Sequence, residues 1–234
     1  MTSFSPLKNP LILALDVDDE GQALDLVEQT SSVVGGIKIG PRLMLRYGSR
    51  FVQRVAQKAP VFLDMKFFDI PSTMVSAVRS AFDIGSSLVT VHAQAGIEAL
   101  SQLARLEEEY RRTSDVKVLA VTILTSFDKS TLPGVLKDQP IDQHVDELAQ
   151  LVIGSGLNGI VCSPHELTRL SKYQSLYRVT PGIRMIAKPG EDQKRIMGPR
   201  EALDRGATAL VVGRPILEAE SPLTASQKIL ELLV

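Results

Sequence analysis

Four ionisable residues of this sequence can act as a group: Asp64 and Lys66, two apart in an apolar run, Lys38 in an earlier run, and Asp69 just downstream. Side chains two apart on an extended strand share a face, so Asp64 and Lys66 point the same way. Lys38, from a neighbouring strand, then completes an alternating array of ammonium, carboxylate and ammonium groups. Ionised groups at a strand end are costly to desolvate unless opposite charge compensates them. An array of this kind can hold a fixed positive charge beside a reacting atom and deliver a proton to it. A structural salt bridge is the bland alternative for the Asp64–Lys66 pair alone and loses ground once Lys38 and Asp69 are added; either lysine could also form a Schiff base with a carbonyl substrate, which borohydride trapping would expose.

A second set of residues suits an anion. Thr180-Pro181-Gly182-Ile183-Arg184 and Gly213-Arg214 each place an arginine and a glycine after an apolar run. Glycine lets backbone N–H groups approach a phosphate, and the guanidinium fork grips its oxygens in pairs. Between them, residues 185–199 contain Lys188, Pro189, Gly190, Gln193 and Gly198, a polar segment able to fold over a ligand. Asp16, His92, Thr125 and Ser126 also end or follow apolar runs. His92 could be a catalytic base, but a hydrogen-bonded structural role is the expectation, and His144 and His165 are expected at the surface or at helix caps.

Positioning these groups requires a regular scaffold, and the sequence alternates between two periodicities. Short apolar, β-branched runs at residues 11–16, 36–40, 61–66, 87–92, 117–123, 159–162, 177–180 and 207–212 predict strands. Stretches at 22–30, 42–58, 72–83, 97–112, 143–155 and 223–233 repeat apolar residues at three- and four-residue steps and predict helices. Pro41, Pro71 and Pro164 stand where a missing N–H is harmless, at helix starts just after strands. Near-continuous hydrophobic strands without hairpin signals imply parallel strands buried on both faces. The expected fold is therefore α/β, a single (β/α)8 TIM barrel in one domain spanning residues 1–234, with the site at the carboxyl ends of its strands. A doubly wound open sheet is the competing architecture. No G-x-G-x-x-G follows the first strand, which weakens a dinucleotide-binding version of it.

Composition narrows the function classes. With 26 basic against 27 acidic residues, the net charge of -1 provides no polyanion-attracting field, so no nucleic acid partner is expected. The one cysteine, Cys162, excludes an intramolecular disulfide, suits a reducing compartment and is expected as a buried strand residue. Residues 1–10 carry one lysine and no apolar stretch of signal-peptide length, and no later segment reaches about 18 apolar residues. No membrane association and a cytoplasmic location are expected.

The segment Asp64-Met65-Lys66-Phe67-Phe68-Asp69-Ile70-Pro71-Ser72-Thr73 resembles the D-x-K-x-x-D-I-P-x-T signature of the orotidine 5′-phosphate decarboxylase family. Ala14-Leu15-Asp16-Val17, Lys38-Ile39-Gly40, Leu124-Thr125-Ser126, Thr180 to Arg184, Asp192-Gln193 and Gly213-Arg214 follow in that family's order. Phe68 stands where bacterial members commonly have histidine and Ser72 where asparagine is frequent, which bears on loop packing and dimer contacts. The resemblance implies a cofactor-free decarboxylase that converts orotidine monophosphate into uridine monophosphate. It implies Asp16 at the ribose hydroxyls, Lys38 bridging ribose and Asp64, and Lys66 as proton donor to C6. Thr125, Ser126 and Pro181 would meet the substrate, and Arg184, Gln193, Gly213 and Arg214 would hold its 5′-phosphate. Asp69 and Thr73 would enter the site of a partner subunit, so a homodimer is implied. Related sugar-phosphate enzymes share the D-x-K-x-x-D core but bind magnesium through an acidic residue on strand 2, where this chain has Lys38. A phosphate-ligand sensor on a retained barrel is a further alternative; tight nucleotide binding without release of carbon dioxide would identify it.

Overall fold

The computed structural model describes residues 6–136, 138–184 and 197–233. Eight strands form where the β-branched and leucine-rich runs lie: β1 (Leu11–Ala14), β2 (Gly36–Ile39), β3 (Val61–Phe67), β4 (Ser86–His92), β5 (Lys117–Val121), β6 (Gly159–Val161), β7 (Tyr177–Thr180) and β8 (Ala209–Val212). Each pairs in parallel with the next, and β8 pairs in parallel with β1, with Leu11 opposite Leu210 and Leu13 opposite Val212. This closes the sheet into an eight-stranded barrel and removes both sheet edges. The fold is the expected (β/α)8 barrel, and the open doubly wound alternative is excluded.

The strand period of two sorts side chains into two cores. Leu11, Leu13, Ile37, Ile39, Val61 and Leu63 face outward into a layer shared with the helices. Ile12, Phe62, Leu88, Leu119, Tyr177 and Val211 fill the barrel interior. The interior parity carries directly into the polar residues. Ala14 faces inward and Asp16 follows it by two; Phe62 faces inward, and Asp64 and Lys66 continue its row; Leu88 is followed by Thr90 and His92. The lower interior is therefore apolar apart from the buried Lys117, whereas the carboxyl end of the same rows is ionic.

Helices cover the barrel's outer face: α1 (Glu20–Thr30), α2 (Pro41–Ala56), α3 (Pro71–Asp83), α4 (Gly96–Tyr110), α5 (Ile141–Gly154), α6 (Leu167–Leu170), α7 (Pro199–Asp204), α8 (Arg214–Leu217) and α9 (Pro222–Glu231). The short helices α6, α7 and α8 were not anticipated, because four to six residues are too few to display a helical period. Periodicity also runs unbroken through α2, yet Gly48 interrupts it with φ 66°. That left-handed conformation is open to glycine at little cost. His144, expected at the surface, is instead buried on α5, where its Nδ1 contacts the Gln139 amide at 3.1 Å. His165 is exposed, in the single turn Pro164–Glu166. Among the described residues no helix is long and apolar enough to cross a membrane.

Candidate active site

The ionic layer is a connected chain of charges. The Lys38 ammonium lies 3.2 Å from Asp16 Oδ1 and 3.7 Å from Asp64 Oδ2, and the Lys66 ammonium donates to Asp64 Oδ1 at 2.8 Å. Asp64 thus uses one carboxylate oxygen for each lysine. Both lysines and Asp64 are partly buried, while Asp16 is more open. Burial acts to raise the Asp64 pKa, but the charges of Lys38 and Lys66, with hydrogen bonds from Lys66 and Thr90, outweigh it and hold the carboxyl below its usual range. The carboxylate is ionised at neutral pH, and neither ammonium can be moved without exposing it. Such a layer cannot reorient cheaply, which is the condition for electrostatic preorganisation.

Beside these charges opens a cavity of about 470 Å3, a size suited to a small ligand. Asp16, Lys38, Asp64 and Lys66 line it together with Pro181, Arg184, Gly213 and Arg214, which follow β7 and β8; β8 adjoins β1, so Gly213 stands close to Ala14 and Asp16. Thr125 also lines it. Arg184 is nearly buried, and its Nη1 donates to the Ile183 carbonyl at 2.8 Å. Of the remaining predicted residues, Ser126 is exposed outside the lining, and Gln193 lies outside the described residues, as do Lys188, Pro189 and Gly190. Asp69 and Thr73 are exposed on the β3–α3 connection and the first turn of α3, away from this chain's own cavity. The Asp69 carboxylate accepts from the Ile70 N–H at 2.7 Å. Phe68 and Ile70 flank it with 61% and 64% of their surface exposed.

Several residues in or beside the cavity escaped the sequence reading. Arg42, on the first turn of α2, reaches the cavity, donates to the Asp16 carbonyl at 3.4 Å and lies 3.6 Å from the Asp18 carboxylate. It carried no signal of its own because it belongs to an arginine series at four-residue steps that reads as a solvated helix face. Cys162 lies just past β6 and is buried as expected, but it also lines the cavity. Thr90, fully buried on β4, contacts both Asp64 and Lys66. A strand threonine is too common to stand out, and the residue spacing that exposed Asp64 and Lys66 contains no cross-strand information. His92 corrects an expectation: its Nδ1 is buried without a hydrogen-bond partner among the described residues, and its ring packs on Phe68 with centroids 5.6 Å apart. Burial, and then the charge of Lys66, push the His92 pKa below its ordinary value.

A family model described as Orotidine 5'-phosphate decarboxylase / HUMPS family matches residues 9–229, from before β1 into the last turn of α9. The chain belongs to this family. Orotidine 5'-phosphate decarboxylase from Psychromonas ingrahamii is 38% identical over 227 residues, covering 96% of this chain and 97% of that protein. The enzyme of the same name from Nitrosococcus oceani is 39% identical over 225 residues, covering 95% and 96%. Among solved structures, Orotidine 5'-phosphate decarboxylase from Lactobacillus acidophilus superposes with a TM-score of 0.82 at 29% identity, covering 97% of this chain and 99% of that one. The Lactobacillus acidophilus barrel and this one therefore correspond along nearly all of their lengths, and the ionic layer occupies the carboxyl ends of strands, where barrels of this architecture place their sites.

Proposed function

We propose that this chain decarboxylates orotidine 5′-phosphate to uridine 5′-phosphate and carbon dioxide, the last step of pyrimidine nucleotide synthesis, and that residues 1–234 act as one barrel domain in a cytoplasmic homodimer. One observation carries the reading: the chain Asp16–Lys38–Asp64–Lys66 lines a single cavity together with Arg184 and Arg214, the arginines that follow β7 and β8. That combination suits a ligand that carries both a phosphate and a reacting carbon.

The chemistry follows from charge placement. Loss of carbon dioxide from C6 of orotate leaves an electron pair in the plane of the ring, where the π system cannot delocalise it. A fixed positive charge beside C6 stabilises that pair as it forms, and the Lys66 ammonium, pinned to Asp64, supplies the charge and then the proton. Lys38, held between two carboxylates, binds the ribose and keeps Asp64 ionised. Asp64 lies near the departing carboxylate and repels it, a stress relieved as carbon dioxide leaves; this contribution is secondary to stabilisation of the developing charge. Arg184, Gly213, Arg214 and Gln193 grip the phosphate, far from the bond that breaks, so their binding energy can order the charges. Asp69 and Thr73 complete the partner's site, which accounts for their exposure on this chain. The set supplies its own charge and proton, so the proposal includes neither metal nor cofactor.

The test is direct. Purified protein mixed with orotidine 5′-phosphate in the presence of a chelator is expected to extinguish the substrate's absorbance and release carbon dioxide. Nucleotide binding without turnover would overturn the proposal in favour of a sensor, and turnover that stops with chelator would favour a metal-dependent sugar-phosphate enzyme.

A further inference from the structure

Thr90 is placed to control the geometry of Lys66 at both ends of that residue. On the β3–β4 ladder Leu63 pairs with Val89 and the next pair is Phe67 with Val91, so Asp64, Met65 and Lys66 stand opposite Thr90 alone. The strand therefore bulges where it carries its charges. Within the bulge Lys66 has φ 51°, the one positive φ among the described non-glycine residues. A long side chain adopts that conformation only where its surroundings impose it.

The imposing contact is the Thr90 hydroxyl. It accepts the Lys66 backbone N–H at 2.9 Å, a bond that the ladder would otherwise supply, and it donates to Asp64 Oδ1 at 2.9 Å. The direction of both bonds is forced, because an amide N–H can only donate and the hydroxyl has one proton to give. Asp64 Oδ1 is the same oxygen that receives the Lys66 ammonium. A single hydroxyl thus fixes the backbone of Lys66 directly and its ammonium through Asp64. Thr90 is fully buried, and its β-branching restricts χ1, so the hydroxyl is itself held in place.

We propose that Thr90 is a positioning residue for the decarboxylation: it sustains the left-handed Lys66 conformation and orients Asp64 so that the ammonium meets C6. The inference rests on the function proposed above, since it assumes that Lys66 acts at C6. Thr90→Val keeps the shape of the side chain and removes the hydroxyl. Its kcat is expected to fall about thirtyfold, equivalent to about 2 kcal/mol of barrier, with KM and uridine 5′-phosphate affinity within about threefold of wild type. Thr90→Ser restores both bonds and is expected to recover kcat to within about fivefold of wild type. A purely structural role would lower the melting temperature while leaving the kcat of folded enzyme and its rescue by serine unaffected. If the valine variant does not fold, Thr90→Ala is compared with Thr90→Ser: slow alanine with fast serine supports the proposal. Equal rates for the two, or a valine variant with wild-type kcat, overturn it. Wild-type enzyme assayed in parallel separates the two claims, because absent wild-type turnover refutes the function itself, whereas normal wild-type turnover with an unaffected valine variant refutes only the role of Thr90.

Discussion

A lysine whose ammonium sits 2.8 Å from a carboxylate that also serves a second lysine is held rather than free to swing. Lys66→Ala should therefore lower kcat by at least about a thousandfold while uridine 5′-phosphate still binds, because the lost charge acts on electron density that develops only during reaction. Steady-state kinetics and a product titration on the same preparation check this, and near-normal turnover would refute the role. His92 supports a pH prediction at the same scale. Its folded-state pKa is depressed, so in acid the unfolded chain binds a proton that the folded chain refuses. Stability should accordingly be unaffected by this group above about pH 6.5, decline as pH falls below that value, and level off once the folded state is protonated too. Denaturant unfolding at pH 7.5 and 5.5 tests it: His92→Gln should show a smaller acid loss than wild type, and an equal loss would exclude His92 as the source.

At the scale of elements, β5 and α4 are tied at the end of the barrel opposite the site. Glu107 on α4 accepts the Val118 N–H at 2.6 Å and lies 3.9 Å from the ammonium of Lys117, which is 1% exposed. Lys117 also donates to Asn158 at 2.8 Å and lies over the Tyr177 ring. Burial pushes the Glu107 pKa up and the Lys117 pKa down, each toward its neutral form, so the pair is maintained against a desolvation cost. Glu107→Leu leaves the strand N–H and the ammonium short of a partner and should cost about 3 kcal/mol, and Glu107→Gln, which retains the acceptor, should cost less. Chemical denaturation measures both. Because the pair lies at the amino ends of the strands, kcat of the folded variants should stay near wild type, and a large kcat loss would show that the two ends of the barrel are coupled.

At the scale of the whole molecule, the proposal requires a second copy. Asp69 is exposed, and Phe68, Ile70 and Ile97 beside the β3–α3 and β4–α4 connections leave 61%, 64% and 48% of their surfaces open. Such exposure on large apolar side chains suits burial against a partner. If each site combines Lys66 of one chain with Asp69 of the other, the single variants Lys66→Ala and Asp69→Ala should each be nearly inactive. Mixing them with subunit exchange should restore about a quarter of wild-type activity, because half the dimers are hybrids and each hybrid has one intact site. No recovery on mixing, with exchange confirmed by mass, would place Asp69 outside the shared site.

Strand parity is a local property, and it was legible in the residues alone: the period of two put Phe62 and Asp64 on one face and pointed to Lys66 beside them, and eight such runs without hairpin signals pointed to a parallel barrel, although the bulge that gives Lys66 its actual conformation was not legible. Glycine and arginine after the last two strands marked further residues of the cavity's lining in the same way. What needed the tertiary structure was everything that depends on which strand lies beside which and in what register. Closure of β8 on β1 brings Arg214 into one cavity with Lys38, the two-residue excess on β3 sets Thr90 against Lys66, and packing of α5 buries His144. Register arises from summed packing across the whole sheet, so no window of sequence contains it. The chain's own pattern determined which residues could carry charge into the barrel mouth, and closure of the barrel decided which of them meet.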